Sequence, residues 1–289
     1  YGEGKYDIGS SIYQSLYFEG RFDSTMLAVS YLQNQAEDVG GLTAKTSKIL
    51  NVLVDFDGFI GDSSSLRLKM TKGDVNGVAT FKDKNNGSES ITTQDELRTE
   101  FESELATYGA YVMFERGYFG GLEYTNYTTP SAVGFSGSGK RVKYYGMDPN
   151  FEISTYSLVA GYDEISYAKR YEVDLSRFYT QGLVGLGWAD YGVSSPIEKE
   201  VESKGYSINY TGSFAFNAEL EFGYIYQQRF KMFRGLGYSL TASYKVRGSY
   251  SSSGQDDESD SEIDSDELEL EMTRYDIWHG PYVSANIVF

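Results

Sequence analysis

Few side chains in this 289-residue sequence offer the chemistry of a catalytic or metal site. There is no cysteine and one histidine, His279, and Asp276 stands close enough in sequence to orient it as an Asp–His dyad. Such a dyad would fit a membrane-embedded hydrolase, but no serine stands at a diagnostic spacing. Because a catalytic site needs several convergent groups, we predict that the protein is not an enzyme and keep hydrolysis through His279 as a third alternative.

Carboxylates are concentrated in the segment 256–271, which holds ten of them and no basic residue. Carboxylate oxygens are the ligands that Ca²⁺ and Mg²⁺ prefer, so the segment contains a candidate site for a divalent cation. It lacks the glycine and the fixed spacing of an EF-hand loop. We therefore favour a solvated surface loop and predict no cofactor. The candidate ligands are Asp256, Asp257, Asp260, Asp264 and Asp266.

Charge and composition exclude two further classes. The formal net charge of −17 argues against a nucleic-acid partner, because phosphate binding needs clustered lysine and arginine. The chain has 27 tyrosines and 17 phenylalanines, yet its mean hydropathy is −0.42. Its longest nearly apolar stretch, around 182–189, is far shorter than the roughly 20 residues of a transmembrane helix. We predict that no helix spans a membrane.

Apolar and polar residues alternate with period two over much of the chain, which predicts β-strands with two different faces. The segment 213–228 shows the pattern most clearly, and Ile225 is its exception because it falls on the polar face. The segment 236–250 repeats the pattern after a short basic link, so the two predict an antiparallel hairpin. Weaker matches lie at 27–31, 50–56, 66–70, 108–114, 156–162 and 184–188. A helix is predicted over 94–105.

Two architectures explain strands with one apolar face. In a soluble sandwich or small barrel the apolar face points to a core, whereas in an outer-membrane barrel it points to lipid and the polar face lines the lumen. The two best segments exceed the 9–11 residues that a tilted membrane-spanning strand needs. Aromatic residues also gather near the predicted strand ends, as they do at membrane interfaces. These features favour the transmembrane barrel.

The connections between the predicted strands alternate between short and long, which is expected when turns face one compartment and loops the other. Short links are predicted near 18–24, 57–63, 116–119 and 229–235. Long extracellular loops are predicted near 34–46, 83–102, 127–150, 191–205 and 250–266. The pattern counts eleven strands, and because single-chain bacterial barrels have even numbers we predict twelve, with ten or fourteen as alternatives. The expected fold is all-β, an antiparallel up-and-down barrel formed by one domain, 1–289.

The segment YVSANIVF, residues 282–289, ends on Phe289 with apolar residues two, four and six positions before it. This arrangement resembles the assembly signal of the bacterial outer-membrane β-barrel family, and the chain is similar to porin-like members in its overall pattern. The signal residues would be Val283, Ala285, Ile287 and Phe289. The resemblance implies the outer membrane of a Gram-negative bacterium, contact with its lipids, and insertion by the barrel-assembly machinery.

Charged residues on the predicted polar faces would line the lumen of such a barrel. A turn centred on Met232 would place Glu219 opposite Lys245, and such charges would set the ion preference of a pore. A structural cross-strand ion pair is an equally good interpretation. The lumen candidates are Arg67, Lys69, Glu219, Glu221, Lys245 and Arg247.

Three functions follow from these expectations. The first is a channel for passive transport of small solutes or ions through a polar, charge-lined lumen. The second is a structural or partner-binding barrel with a closed lumen, whose acidic loops bind a protein, lipid or cation. The hydrolase that uses His279 is the third.

Overall fold

The chain folds almost entirely into β-strands. The computed structural model describes residues 2–7, 14–34, 37–39, 42–61, 63–83, 96–129, 132–137, 140–145, 151–171, 175–193, 203, 205, 207–209, 213–230, 237–253, 267–270 and 273–288. The strands are β1 (Gly2–Asp7), β2 (Gln14–Phe22), β3 (Thr25–Gln33), β4 (Glu37–Val39), β5 (Leu42–Ala44), β6 (Lys48–Asp57), β7 (Ser65–Asp83), β8 (Glu96–Met113), β9 (Tyr118–Thr129), β10 (Ala132–Gly137), β11 (Lys140–Tyr145), β12 (Phe151–Asp163), β13 (Leu175–Val193), β14 (Ser207–Asn209), β15 (Ser213–Arg229), β16 (Gly237–Ser253), β17 (Glu267–Leu270) and β18 (Thr273–Val288). An α-helix, α1 (Glu164–Tyr171), follows β12, and a 3-10 turn, η1 (Glu115–Gly117), precedes β9.

Twelve of these strands form one antiparallel sheet, which is curled into a half-barrel. Eleven follow one another in an up-and-down meander, in the order β2-β3-β6-β7-β8-β9-β12-β13-β15-β16-β18, and β1 pairs with the far half of β7. The prediction of an all-β antiparallel fold with twelve strands is confirmed. The two ends of the meander, β2 and β18, approach within 8 Å between Cα atoms. Among the described residues, no hydrogen-bonded ladder joins them.

The links of the meander alternate strictly in length. Those at one end, called here the short-link end, are 23–24, 58–64, 114–117, 164–174 and 230–236. Those at the other, the long-link end, are 34–47, 84–95, 130–150, 194–212 and 254–272, and the small sheets β4-β5 and β11-β10-β17-β14 belong to this end. The element bounds follow the predicted alternation, but the short link predicted near 18–24 is too long, because β2 extends to Phe22. The predicted 83–102 loop is too long, because β8 begins at Glu96.

The faces of the sheet have the reverse of the usual polarity. The convex face carries exposed apolar side chains, among them Leu122, Leu158 and Leu186. The concave face buries polar and ionised groups such as Asp55 and Glu123. An ordinary soluble domain would bury the leucines and expose the carboxylates.

Aromatic and aliphatic side chains occupy different levels of the convex face. Near the long-link end, neighbouring strands bring aromatic rings into a row with centroids 4.9–6.4 Å apart. The row consists of Tyr108, Tyr124, Tyr156 and Trp188. The next row towards the short-link end is aliphatic, and its cross-strand neighbours are Leu68, Ala110, Leu122, Leu158 and Leu186. Closer to the short-link end aromatic pairs return, including Tyr118–Tyr162 and Phe178–Phe222.

The helix α1 packs against the concave face at the short-link end. Its Ala168 is fully buried against Tyr179 and Ile225, and Ile165 packs beside them. This contact explains why Ile225 interrupts the polar face of β15. No helix among the described residues reaches the length and hydropathy that a membrane crossing requires.

The helix predicted over 94–105 is wrong, because residues 96–105 belong to β8. In this part of β8, Glu100, Glu102 and Glu104 are exposed and Phe101 is buried. The charges therefore alternate with period two, and continuous pairing with β7 selects the strand.

Candidate functional site: an ionic cluster on the concave face

Glu123 on β9 is the centre of a charged cluster inside the curled sheet. The Tyr111 hydroxyl donates a hydrogen bond of 2.6 Å to its Oε2, and Asn217 Nδ2 donates one of 3.4 Å to its Oε1. Two cations are also close to the carboxylate: Lys69 Nζ at 4.0 Å and Arg247 Nη2 at 3.8 Å. Arg247 lies on β16, with β12, β13 and β15 between it and β9. The curvature of the sheet therefore brings distant strands together at Glu123.

A second carboxylate completes the cluster. Lys245 Nζ lies 2.6 Å from Glu219 Oε1, and the two residues belong to the neighbouring strands β16 and β15. The register pairs Glu221 with Lys245 and Glu219 with Arg247, so the Lys245–Glu219 contact is diagonal. The prediction that Glu219 lies directly opposite Lys245 is therefore wrong by two residues in register. We call Lys69, Glu123, Glu219, Lys245 and Arg247 the concave cluster.

The two signs of charge are placed at different depths within the concave cluster. The carboxylate side chains lie against the wall, with 2% of Glu123 and 15% of Glu219 exposed. The cationic side chains reach into accessible space, with exposed fractions of 27% for Lys69, 45% for Lys245 and 37% for Arg247. A solute inside the sheet would thus meet the cations first.

Arg67 forms a separate network near the short-link end. Its Nε and Nη2 donate bidentate hydrogen bonds of 2.8 Å to Asp55, which lies directly opposite on β6. Its Nη1 donates a third bond, of 2.7 Å, to Asp163 at the end of β12. Asp163 also accepts the backbone N–H of Ser166 at 2.9 Å, which satisfies a donor in the first turn of α1. Arg67 thus connects the helix to the sheet.

Glu221, the remaining lumen candidate, lies on the concave face outside the concave cluster. Its carboxylate accepts 2.6 Å and 2.7 Å hydrogen bonds from Tyr179 and Gln181 on β13. The structure therefore brings together four of the six predicted residues, Lys69, Glu219, Lys245 and Arg247. It places Arg67 and Glu221 in two other polar networks.

Glycine creates the space that positions Tyr111. A Cβ atom at Gly109 would lie 2.2 Å from the Tyr111 hydroxyl and 2.4 Å from its Cζ. The phenol ring therefore folds back over Gly109, two residues before it, and reaches Glu123. A residue with any side chain at position 109 would displace the ring. Gly109 consequently fixes part of the geometry around Glu123.

His279 and Asp276 do not form a dyad. They lie three residues apart on β18, and successive side chains of a strand point to opposite faces. His279 is exposed on the convex side, where its Nδ1 is 2.7 Å from the Tyr244 hydroxyl. Asp276 accepts hydrogen bonds of 2.8 Å and 3.2 Å from Arg274. The arrangement offers no acid–base pair.

The other predicted sites are only partly covered. Val283 and Ala285 are exposed on the convex side of β18, and Ile287 lies in the same strand. Phe289 lies outside the described residues, as do all five candidate cation ligands, Asp256, Asp257, Asp260, Asp264 and Asp266. Within the described ranges, no group of three or more histidine or acidic residues is arranged to hold a metal ion.

Sequence reasoning missed the central residue, Glu123, and its hydrogen-bond donor Tyr111. Glu123 lies in the segment GLEYTNY, residues 121–127, where polar and aromatic residues weaken the alternation. The available signal was parity, because Leu122 and Tyr124 share the convex face and Glu123 must point the other way. Its partners Lys69, Asn217 and Arg247 could not be found this way, since they lie on strands far from β9 in sequence.

Comparisons with known proteins give no match. No family model matches the chain, and no curated protein or solved structure does either. The polarity of the sheet and the geometry of its concave face are therefore the features from which a function can be inferred.

Proposed function

We propose that the chain forms a transmembrane barrel in a bacterial outer membrane and acts as a channel for passive diffusion of small solutes or ions. Lipid would surround the convex face, and water would fill the space beside the concave cluster. The long-link end would face the outside of the cell. The protein would depend on outer-membrane lipids and on the barrel-assembly machinery, and it would need no cofactor.

The convex face supports the membrane part of this proposal. About 70% of Leu158 is exposed, and it belongs to a row of leucines between two aromatic levels. Exposed apolar patches larger than a few hundred Å² are rare on soluble monomers. Lipid-facing barrels carry an apolar band about 25 Å tall with aromatic girdles at both edges, and this order of side chains is the one on the convex face.

The dimensions of one strand agree with such a band. Phe178 and Trp188 share the convex face of β13 and are ten residues apart, with Val184 and Leu186 between them. At about 3.3 Å per residue the two rings are separated by about 33 Å along the strand. A tilt of about 40°, common in membrane barrels, reduces this to about 25 Å across the bilayer.

The observation that carries the channel function is the exposure of cations on the concave face. Lys245 and Arg247 are 45% and 37% exposed, although they lie inside the curled sheet. Charged groups of this exposure need water beside them, because an ionised side chain without solvent or a full set of partners is costly. A hydrated interior bounded by a lipid-facing wall is a route across a membrane.

Conductance measurement tests this function. Purified protein, refolded in detergent and shown to be folded by its heat-modifiable migration on gels, would be added to planar lipid bilayers. Discrete conductance steps are expected. A folded protein that inserts and remains silent would refute the channel, and a protein that stays monodisperse in buffer without detergent would refute the membrane location.

A specific observation favours the second candidate, a structural or partner-binding barrel with a closed lumen. Ion pairs join strands that are not neighbours, at Arg67–Asp163 and Arg247–Glu123, and such pairs narrow the interior. Under this alternative the wild-type protein does not conduct. Arg247→Ala removes the ion pair that crosses three intervening strands, and this variant is expected to conduct. The long links would then be the surface that binds a partner protein.

A further inference from the structure

We infer that the concave cluster makes the passage selective for small anions, such as chloride and small carboxylates or phosphates. This inference rests on the proposed channel function and specifies its substrate class. It follows from the positions of the charges on the concave face, and the net charge of the chain does not reveal these positions.

The five residues of the concave cluster have a surplus of positive charge. Glu221, which the register pairs with Lys245, is not counted because it is 8% exposed and its carboxylate is held by Tyr179 and Gln181. Lys69, Lys245 and Arg247 contribute three positive charges, and Glu123 and Glu219 contribute two negative ones. Glu123 is moreover engaged by two neutral donors, Tyr111 and Asn217, in addition to the cations. Its lone pairs are therefore directed to the protein wall, whereas Lys245 and Arg247 retain donors for other partners.

The positions of the side chains strengthen the effect of this surplus on an ion in the accessible space. The carboxylates are almost completely covered by the wall, while roughly a quarter to a half of each cationic side chain is exposed. The attraction between charges falls with distance, so an ion in the accessible space interacts with the cations more strongly than with the carboxylates behind them. Rings of lysine and arginine select anions in other pores by the same effect.

The preference would oppose the charge of the chain as a whole. The formal net charge is −17, and a strongly acidic protein attracts cations to its surface. At about 0.15 M salt the Debye length is about 8 Å, so distant surface carboxylates are largely screened from an ion at the concave cluster. The cations of the concave cluster therefore determine the selectivity. At lower salt the distant carboxylates are less screened, so they would weaken the preference for anions.

The test is the reversal potential of single channels in bilayers with a tenfold gradient of potassium chloride. For the wild type, the permeability ratio of chloride to potassium is expected to exceed one. Neutralising the three cations in Lys69→Gln/Lys245→Gln/Arg247→Gln is expected to bring the ratio below one, because Glu123 and Glu219 remain.

Lys72→Gln is the matched control. Lys72 lies on β7 only three residues from Lys69, but it is exposed on the opposite, convex face. Its replacement removes one positive charge from the strand that carries Lys69 and is expected to leave the ratio unchanged. Glu219→Gln is expected to act in the opposite direction and raise the ratio. It also provides a readout if the triple variant does not fold.

The possible outcomes separate the two claims. Channels that conduct but have a ratio at or below one would overturn the anion selectivity and leave the channel function in place. An equal change in Lys72→Gln and in the triple variant would also overturn it, since the effect would not come from the concave cluster. Folded, inserted and silent wild-type protein would overturn the channel function and the selectivity together.

Discussion

Arg67 on β7 and Asp163 at the end of β12 are joined by a 2.7 Å hydrogen bond that passes over the two strands between them. The same guanidinium holds Asp55 with two further bonds, and Asp163 holds the first turn of α1. One arginine thus connects the early half of the sheet, the later half and the helix. At the short-link end this side chain therefore links β6, β7 and β12.

Replacing Arg67 is expected to destabilise the protein strongly. Arg67→Met leaves the buried carboxylates of Asp55 and Asp163 without their counter-ion, and breaking a buried ion pair costs about 3–5 kcal/mol. The free energy of unfolding, measured by denaturant titration in detergent micelles, provides the check. Lys45→Met is the control, because the Lys45–Glu102 pair is exposed and should contribute about 0.2–1 kcal/mol. Equal losses in the two variants would refute the role assigned to Arg67.

Adding one methyl group at Gly109 is expected to disturb the concave cluster. The new Cβ of Gly109→Ala would lie 2.2 Å from the Tyr111 hydroxyl, so the ring must move away from Glu123. Overpacking of this kind costs about 1–3 kcal/mol, and the conductance should change as well. At Gly120 the nearest atom to an added Cβ is 3.8 Å away, so Gly120→Ala should change neither quantity. Wild-type behaviour of Gly109→Ala would contradict the close packing of the Tyr111 ring over Gly109.

A charge placed on the convex face distinguishes lipid from water. Leu158→Arg lies in the middle of the aliphatic row, and in a bilayer it should cost about 2–4 kcal/mol. Glu104→Arg places the same side chain on the same face of the sheet, beyond the aromatic row, where the cost should be about 0–1 kcal/mol. The free energies of unfolding from lipid vesicles provide the comparison. If Leu158→Arg were neutral, the convex face would be a water-exposed surface.

Trp188 reports its own surroundings. The protein has two tryptophans, so in Trp278→Phe all of the tryptophan emission comes from Trp188. Because Trp188 is exposed on the convex face, its fluorescence should be quenched by lipids with brominated acyl chains and little affected by acrylamide in the aqueous phase. Trp188→Phe should lose this quenching. The reverse sensitivity, to acrylamide alone, would contradict the proposed location.

The strands and their two faces could be predicted from the sequence because period two is a local property. Leu158 and Ser157 are neighbours in a strand, so their side chains point to opposite faces. Their different polarity shows which face is apolar. Whether the apolar face is the concave or the convex one is not a local property. The same alternation occurs in a soluble barrel with an apolar interior and in a membrane barrel with an apolar exterior. The curvature and the links determine that assignment.

The candidate site was predicted in part for the same reason. Lys245 and Glu219 lie on paired strands, so the sequence indicated their proximity, although the register was off because the length of the turn was assumed. Glu123 meets Arg247 only through the curvature of a sheet of many strands, which no local pattern encodes. Ile225 contained a usable signal, because an apolar residue on a polar face indicates a buried partner, and that partner is α1.

The alternation along β15 also affects how the chain behaves in water before it folds. Polar residues alternate with apolar ones over most of β15, so the extended chain has no apolar segment as long as a membrane-spanning helix and has little tendency to enter a lipid layer as a helix. Pairing of the strands then gathers the scattered apolar side chains onto one continuous surface. In most proteins folding buries apolar side chains, whereas in this one the pairing of strands collects them on the exposed convex face, the surface that lipid would cover in the proposed barrel.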